Sequence, residues 1–431
     1  MPDPLNAPLD STAATAAREA WERFPSMLGT SIATRGMSAG NATEWGLGGS
    51  SPRSALPPIS LGGGIPDAET QPRHELLAAM SRVLEHPGDA PLVYGGAQGF
   101  EPLRDEIASY FARNHPGRPS ADWYLLTNGA AGAIESICAS FLDPGDVVIT
   151  EIPTFAGSLR TMRGKQADVV GVGMDEEGLK LDELESTIDR LEAEGRRVKL
   201  IYTQPTFHNP TGLTMTLQRR LDLIELAARK QVLLMEDHAY SELYFDGAPP
   251  PTLSELTDGY GVLTVGTFSK VIATGLRVGW VQARPDWIQA MVPARFDMGN
   301  SPLLHRMLHE YMVRGNFREH VEEMRKLYAL KAKTLAGALE PYGEPYFDVV
   351  EPAGGFFLWL KLRNGLTGDA VRDFAAEDGL SFPSGNRFYP GNDVGDDGES
   401  VRLAYSWPPA ARLEEAAERL SRAFHRAANG G

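Results

Sequence analysis

The chain has 431 residues, enough for about two domains with sizeable cores, and its 42% hydrophobic and 23% charged residues match ordinary globular usage. A formal net charge of −16 at pH 7 argues against general binding to nucleic acid or to an anionic membrane. A single cysteine, Cys138, excludes an intramolecular disulfide and a cysteine metal cluster, and it fits a reducing, cytoplasmic setting.

Residues 1–20 lack a basic start and an apolar core, so no secretory signal is expected. No run of about 18 apolar residues predicts a membrane span. The first twenty residues read as a tail. The Gly-, Ser- and Thr-rich stretch from Trp21 to Pro58 reads as an extended arm.

A strand–helix alternation begins near residue 74. HELLAAMSRVLE and LRDEIASYFARNH have helical spacing. WYLLTNG reads as a strand ending at Asn128-Gly129, and AAGAIESICASFL as the helix after it. VVITEI, ADVVGVGM and VKLIYTQP read as strands. LQRRLDLIELAARK reads as an amphipathic helix with Leu217, Leu221, Ile224 and Ala228 on its apolar face. VLLMED, VLTVGT and VGWVQA are three further apolar runs. This pattern predicts an α/β fold, with a mostly parallel central sheet buried between helices on both faces. After Pro302 the pattern becomes α+β. The stretch from Ser301 to Glu340 reads as long, little-interrupted helix, succeeded by the strands FFLWLKL and SVRLAYS and two more helices.

In open parallel sheets, ligands sit at the carboxyl ends of the strands. The residues just past each strand form a chemically coherent set. Gly129, Ala130 and Ala131 open a helix whose free N–H groups suit an anion. Thr267 and Arg277 flank Lys270 and suit the same anion. Phe155 offers a flat apolar face, and Asp237 a negative charge. Asn209 and Tyr240 offer hydrogen-bond donors, and Lys270 an amine able to form an imine.

HNPTG at 208–212, EDHAY at 236–240 and GTFSKVIATGLRVGW at 266–280 resemble the class I/II aminotransferases. These are enzymes of fold type I dependent on pyridoxal 5'-phosphate (PLP). The resemblance points to the 2-aminoadipate and kynurenine aminotransferase branch and runs from about ISLGGGIPD at 59–67 to RLAYS at 402–406. It implies that Lys270 holds PLP as a Schiff base and shuttles the proton. It implies that Asp237 pairs with the pyridine nitrogen, that Asn209 and Tyr240 bond the phenolic oxygen and that Phe155 stacks on the ring. Thr267, Arg277 and the backbone of Gly129, Ala130 and Ala131 would bind phosphate, with Tyr94 reaching it from the partner of a homodimer. Arg402 would clamp the substrate α-carboxylate, beside Gly63. Domains are expected at about 59–310 for the larger, cofactor-binding part and 311–431 for the smaller, packed with the arm at 1–58.

The sequence departs from its relatives in places. Ala130 and Ala131 stand where Ser and Gln are common, Phe155 lacks a hydroxyl, His238 follows Asp237, and Trp407 is bulky. Transamination between an L-amino acid and a 2-oxo acid is the expected reaction. Elimination at the β or γ carbon, replacement or carbon–carbon bond formation in specialised biosynthesis is the alternative on the same fold. His305 and His309 lie four apart but lack a third ligand, so no metal is expected. MocR-type regulators share the fold, yet the first 58 residues are neither basic nor patterned as helix-turn-helix, so DNA binding is not expected.

Overall fold

Val147–Ile152, Val198–Thr203 and Val262–Thr267 are rich in β-branched residues and apolar toward both faces, which suits strands covered on either side. The computed structural model, which describes residues 54–86, 91–295, 297–389 and 398–430, sets them inside an eight-stranded sheet. The expected tail and most of the expected arm lie outside the described residues. After the short strand Ile59–Ser60 (β1), the strands are Tyr124–Thr127 (β2), Val147–Ile152 (β3), Asp168–Asp175 (β4), Gly178–Leu179 (β5) and Val198–Thr203 (β6). Leu233–Asp237 (β7), Val262–Thr267 (β8) and Gly279–Gln282 (β9) complete the sheet. Their spatial order is β2-β9-β8-β7-β6-β3-β4-β5. Neighbours from β4 to β8 pair in parallel, β9 runs antiparallel between β8 and β2, and β5 is antiparallel to β4.

Period-two alternation builds two cores. Val148, Leu200, Met235 and Leu263 face the helix Gly129–Phe141, packing with its Ala133, Ile134 and Ile137. Val147, Ile201, Leu234 and Val262 point the other way, onto Leu184, Ile188, Leu223 and Leu226 of the helices Leu181–Ala193 and Leu217–Lys230. Full burial of such a side chain stabilises the fold by about 1.5–3 kcal/mol.

Three details correct the sequence reading. The helix Leu217–Lys230 buries Arg220, Leu223, Leu226 and Ala227, while Leu217 and Leu221 are 44% and 41% exposed and Ala228 faces solvent. Arg220 decides the face, because its buried guanidinium donates to the carbonyls of Pro205, Met215 and Pro251 and to Thr206 Oγ1. An apolar count cannot place an arginine inside. The stretch after Ser301 is two helices, Pro302–Val313 and Asn316–Leu339, broken at Gly315 with φ +83°, a conformation glycine adopts without steric cost. The helices Ala156–Gly164 and Leu181–Ala193, joining β3 to β4 and β5 to β6, escaped the pattern reading.

The later residues form Phe357–Lys361 (β10), Leu380–Ser381 (β11) and Ser400–Ala404 (β12), with the helices Gly368–Glu377 and Leu413–Ala428. β10 and β12 are antiparallel, and β11 pairs in parallel with β1. The segment after β1 is tied down along its length. Leu61 N donates to Ser381 O at 2.8 Å, Ala404 N donates to Leu61 O at 2.7 Å, and Ser406 Oγ donates to Ile65 O at 2.7 Å. Beyond it, fully buried Lys331 donates to Asp67 Oδ2 at 2.5 Å and to Ser406 O at 2.8 Å. Removing one partner of such a buried pair costs about 3–5 kcal/mol. Gly62, Gly63 and Gly64 are thereby held in a taut strap.

Candidate active site

The carboxyl ends of β2, β3, β6, β7 and β8 open on one edge of the sheet, and antiparallel β9 begins at that edge. Arg277, two residues before β9, therefore arrives beside the ends of its neighbours. Lys270, three residues past β8, donates from Nζ to Gly64 O at 2.7 Å, and its ammonium lies 5.6 Å from the centroid of the Tyr240 ring. Burial, reinforced by the Arg402 charge and opposed by Asp237, lowers its pKa to about 8. The amine is thus far easier to deprotonate than an exposed lysine.

Asp237, at the end of β7, is buried and fully engaged. Its Oδ2 accepts from Tyr202 Oη at 2.8 Å and from Gln204 Nε2 at 3.0 Å, and its Oδ1 accepts from Ala239 N at 3.0 Å. Asn209 donates its backbone N–H to Gln204 Oε1 at 2.9 Å. Tyr240 is 4% exposed, and burial raises its phenol, which stays protonated and able to donate. Its ring meets Phe356 and Phe357 edge-on at 5.5 and 5.4 Å.

Arg402 rises from β12 opposite Trp359 of β10 and is sandwiched between Phe357 and Phe388, 4.4 and 4.7 Å from their centroids. Nη1 donates to Asn209 Oδ1 at 2.9 Å and Nη2 to Gly62 O. Its Nε is buried without a hydrogen-bond partner, and no carboxylate among the described residues pairs with it. Burial lowers its pKa to about 10, so it remains a cation at neutral pH. A buried cation with an unused N–H is costly unless an anion completes it.

At the other end of the site, Gly129 opens its helix with φ +68°, and Asn128 makes no side-chain cap. A Cβ on Gly129 would lie 2.6 Å from Arg277 Nη2, so the missing side chain lets the guanidinium lie over the helix start. Arg277 also donates to Asn128 O at 3.1 Å. A Cβ on Gly279 would strike the backbone of Gly129, Gly266 and Ala130 at 2.6–2.9 Å, so β9 packs directly on the helix start. Ala130 is partly buried and Ala131 exposed. Thr267 Oγ1 bonds Ser269 Oγ at 2.9 Å and accepts from Ser269 N at 3.1 Å. Free N–H groups, a guanidinium and hydroxyls at a helix start form an anion cradle.

Phe155 caps the helix Ala156–Gly164, half-buried, its ring lying across Gly157. Gly63 is buried between the two carbonyls that accept from Arg402 and Lys270. Tyr94 stands apart from this set and is 85% exposed. His238 turns to Glu236, its Nε2 2.8 Å from Glu236 Oε1; burial disfavours its cation, but the carboxylate outweighs this and raises its pKa. His305 is buried and His309 packs edge-on against Phe100, and no group of three or more metal-ligating side chains occurs among the described residues.

Sequence reasoning passed over Tyr202, Gln204, Ser269, Phe357 and Phe388. Tyr202 and Gln204 carried a usable signal. They stand two apart at the end of VKLIYTQP, and residues two apart on a strand share a face. Phe388 carried none, because it ends a short turn, Gly385–Phe388, with no strand or helix period to show which way its ring faces.

The family model of aminotransferase class I and II matches residues 57–420. Aromatic-amino-acid aminotransferase 1 of Thermococcus litoralis is 31% identical over 365 residues, covering 84% of this chain and 87% of that protein. The 2-aminoadipate transaminase of Thermus thermophilus is 32% identical over 370 residues, covering 85% and 90%. The solved structure of alpha-aminoadipate aminotransferase from Thermus thermophilus, complexed with N-(5'-phosphopyridoxyl)-L-leucine, matches with a TM-score of 0.83 at 29% identity, over 95% of this chain and 100% of that one.

Proposed function

Because the chain belongs to the class I and II aminotransferases and is a PLP-dependent enzyme, we propose that it moves an amino group between an L-amino acid and a 2-oxo acid at the site centred on Lys270. The observation that carries this assignment is one juxtaposition. An amine lowered to about pH 8 stands between the buried Asp237 carboxylate and the buried, incompletely matched Arg402 guanidinium.

The residues present fit the cofactor. The glycine-lined helix start with Arg277 and Thr267 suits its phosphate, and a side chain at Gly129 or Gly279 would fill the space beside them. Bound PLP supplies an electron sink that stabilises negative charge at the substrate Cα. Asp237 holds a proton on the ring nitrogen, and its own bonds to Tyr202, Gln204 and Ala239 keep its oxygens aimed. Asn209 and Tyr240 would hydrogen-bond the phenolic oxygen. Phe155 would cover one face of the ring, and the backbone of Ala130 and Ala131 would support the phosphate. Arg402 takes the α-carboxylate beside Gly63, using its unmatched Nε and the cation sandwiched by Phe357 and Phe388. Lys270 Nζ would hold the cofactor, and its easily deprotonated amine would serve as the base and acid for the proton at the substrate Cα.

We read 59–310 as the cofactor-binding domain and 311–431 as the smaller one, joined by the arm at 1–58. Donation from Arg412 and Arg419 to Pro57 O supports that packing of the arm's end. Tyr94 serves the phosphate site of a second copy in a homodimer. Its 85% exposure, beside Leu92 at 75% and Val93 at 59%, supports a surface that a partner covers. No helix among the described residues is long and apolar enough to cross a membrane, and a lone, buried Cys138 suits a cytoplasmic enzyme.

The test is the visible spectrum during titration with a panel of amino acids. The expected result is a PLP band that converts to the pyridoxamine form and returns with a 2-oxo acid, naming the donor. No band after added PLP would sink the assignment. Loss of a side-chain group from the amino acid, with the PLP band retained, would mean elimination instead.

A further inference from the structure

We propose that Gln204 is a positioning residue that sets the two ends of the cofactor ring against one another, by binding Asp237 and the Asn209 backbone with a single carboxamide. The inference rests on the proposed function, in which Asp237 serves the ring nitrogen and Asn209 the phenolic oxygen.

The orientation of the carboxamide is set by its partners. Asn209 N–H, 2.9 Å away, can only donate, so Oε1 must face it. Nε2 then points to Asp237 Oδ2 and to Tyr202 Oη, both at 3.0 Å. Tyr202 spends its own proton on the same Oδ2 at 2.8 Å. Tyr202, Gln204, Asp237 and Asn209 are all at most 3% exposed. Burial shields these bonds from bulk solvent, and in a low dielectric they polarise one another.

The main chain of Gln204 is equally held. Its N–H donates to Glu151 Oε2 at 2.9 Å, and Thr203 Oγ1 donates to the other oxygen of that fully buried carboxylate. His208, four residues further on, lies with Nε2 3.3 Å from Glu151 Oε2 but forms no hydrogen bond to it. The start of the loop is therefore pinned to β3, and Gln204 is the side chain that carries this anchorage across to Asp237 of β7. From Asn209 the network continues through Oδ1 to Arg402 Nη1. Groups reading the ring nitrogen, the phenolic oxygen and the substrate carboxylate thus lie on one unbroken chain of hydrogen bonds, with Gln204 at its centre.

The experiment compares wild type with Gln204→Met and Gln204→Glu, each loaded with PLP. Four quantities are measured: melting temperature without cofactor, PLP dissociation constant, the pH midpoint of the visible band, and kcat and KM for the amino donor. Gln204→Met keeps the volume and removes all three side-chain hydrogen bonds. It is expected to weaken PLP binding about tenfold and to lower kcat about tenfold, with KM within about twofold. Gln204→Glu keeps the acceptor for Asn209 N–H but sets a carboxylate against Asp237. The added negative charge favours the protonated chromophore, so the midpoint is expected to rise by about half a pH unit or more. A lower melting temperature with wild-type PLP affinity, midpoint and kcat in both variants would reduce Gln204 to a packing residue and overturn the inference. Absence of a PLP band in wild type would instead overturn the functional assignment itself.

Discussion

Arg402 donates from Nη1 to Asn209 Oδ1 at 2.9 Å although 193 residues separate the two in sequence. One end of the guanidinium is thus committed to the loop after β6, and Nε has no hydrogen-bond partner in the protein. Arg402→Lys keeps a cation but loses the planar fork. It is expected to lower kcat/KM for amino acids about 100-fold, with little change for amines that lack a carboxylate and with the PLP band retained. Steady-state kinetics on matched amino acid and amine pairs check this.

Lys270 provides a pH signature. Burial, then the Arg402 charge, lowers its pKa to about 8 from 10.5. The unfolded chain therefore binds more protons between those values, and stability without cofactor should increase as pH rises from about 8 toward 10.5. The neutral amine is the nucleophile, so recapture of PLP by the cofactor-free protein should accelerate with a midpoint near pH 8. Lys270→Ala should abolish the covalent adduct that borohydride traps in wild type, as read by mass spectrometry.

Gly129→Ala tests the anion cradle. At φ +68° a Cβ costs about 1 kcal/mol, and here it would lie 2.6 Å from Arg277 Nη2, which must move aside. A PLP dissociation constant raised about tenfold is expected. The double variant with Arg277→Ala should be less than additive, because both changes act through the same guanidinium.

Tyr94 tests the shared site. Light scattering should report a mass of two chains. Tyr94→Ala and Lys270→Ala should each be inactive alone. Mixed in equal amounts with subunit exchange, they should recover about a quarter of wild-type activity, since half the dimers then hold one complete site. A monomer, or no recovery in a mixture that has exchanged, would remove Tyr94 from the site.

Much of the site was legible because its parts sit at strand ends, and strand ends are marked locally. Asp237 closes an apolar run, Lys270 follows Thr267 across a short turn, and Gly129 opens a helix. The resemblance of HNPTG and GTFSKVIATGLRVGW to known motifs then joined the parts. The buried face of the helix Leu217–Lys230 was not legible, because Arg220 lies inside on the strength of three carbonyls supplied by two loops.

By itself the sequence determined the alternation of strands and helices, the residue types along one sheet edge and the family, all of which depend on short-range periodicity and local motifs. Tertiary structure alone decided that β6 lies beside β7, so that Gln204 meets Asp237, and that β12 returns to bring Arg402 to Asn209 between two aromatic rings. Those contacts are made between segments whose order in space differs from their order in the chain. Their geometry is set by the packing of the whole sheet, which no local window of residues contains.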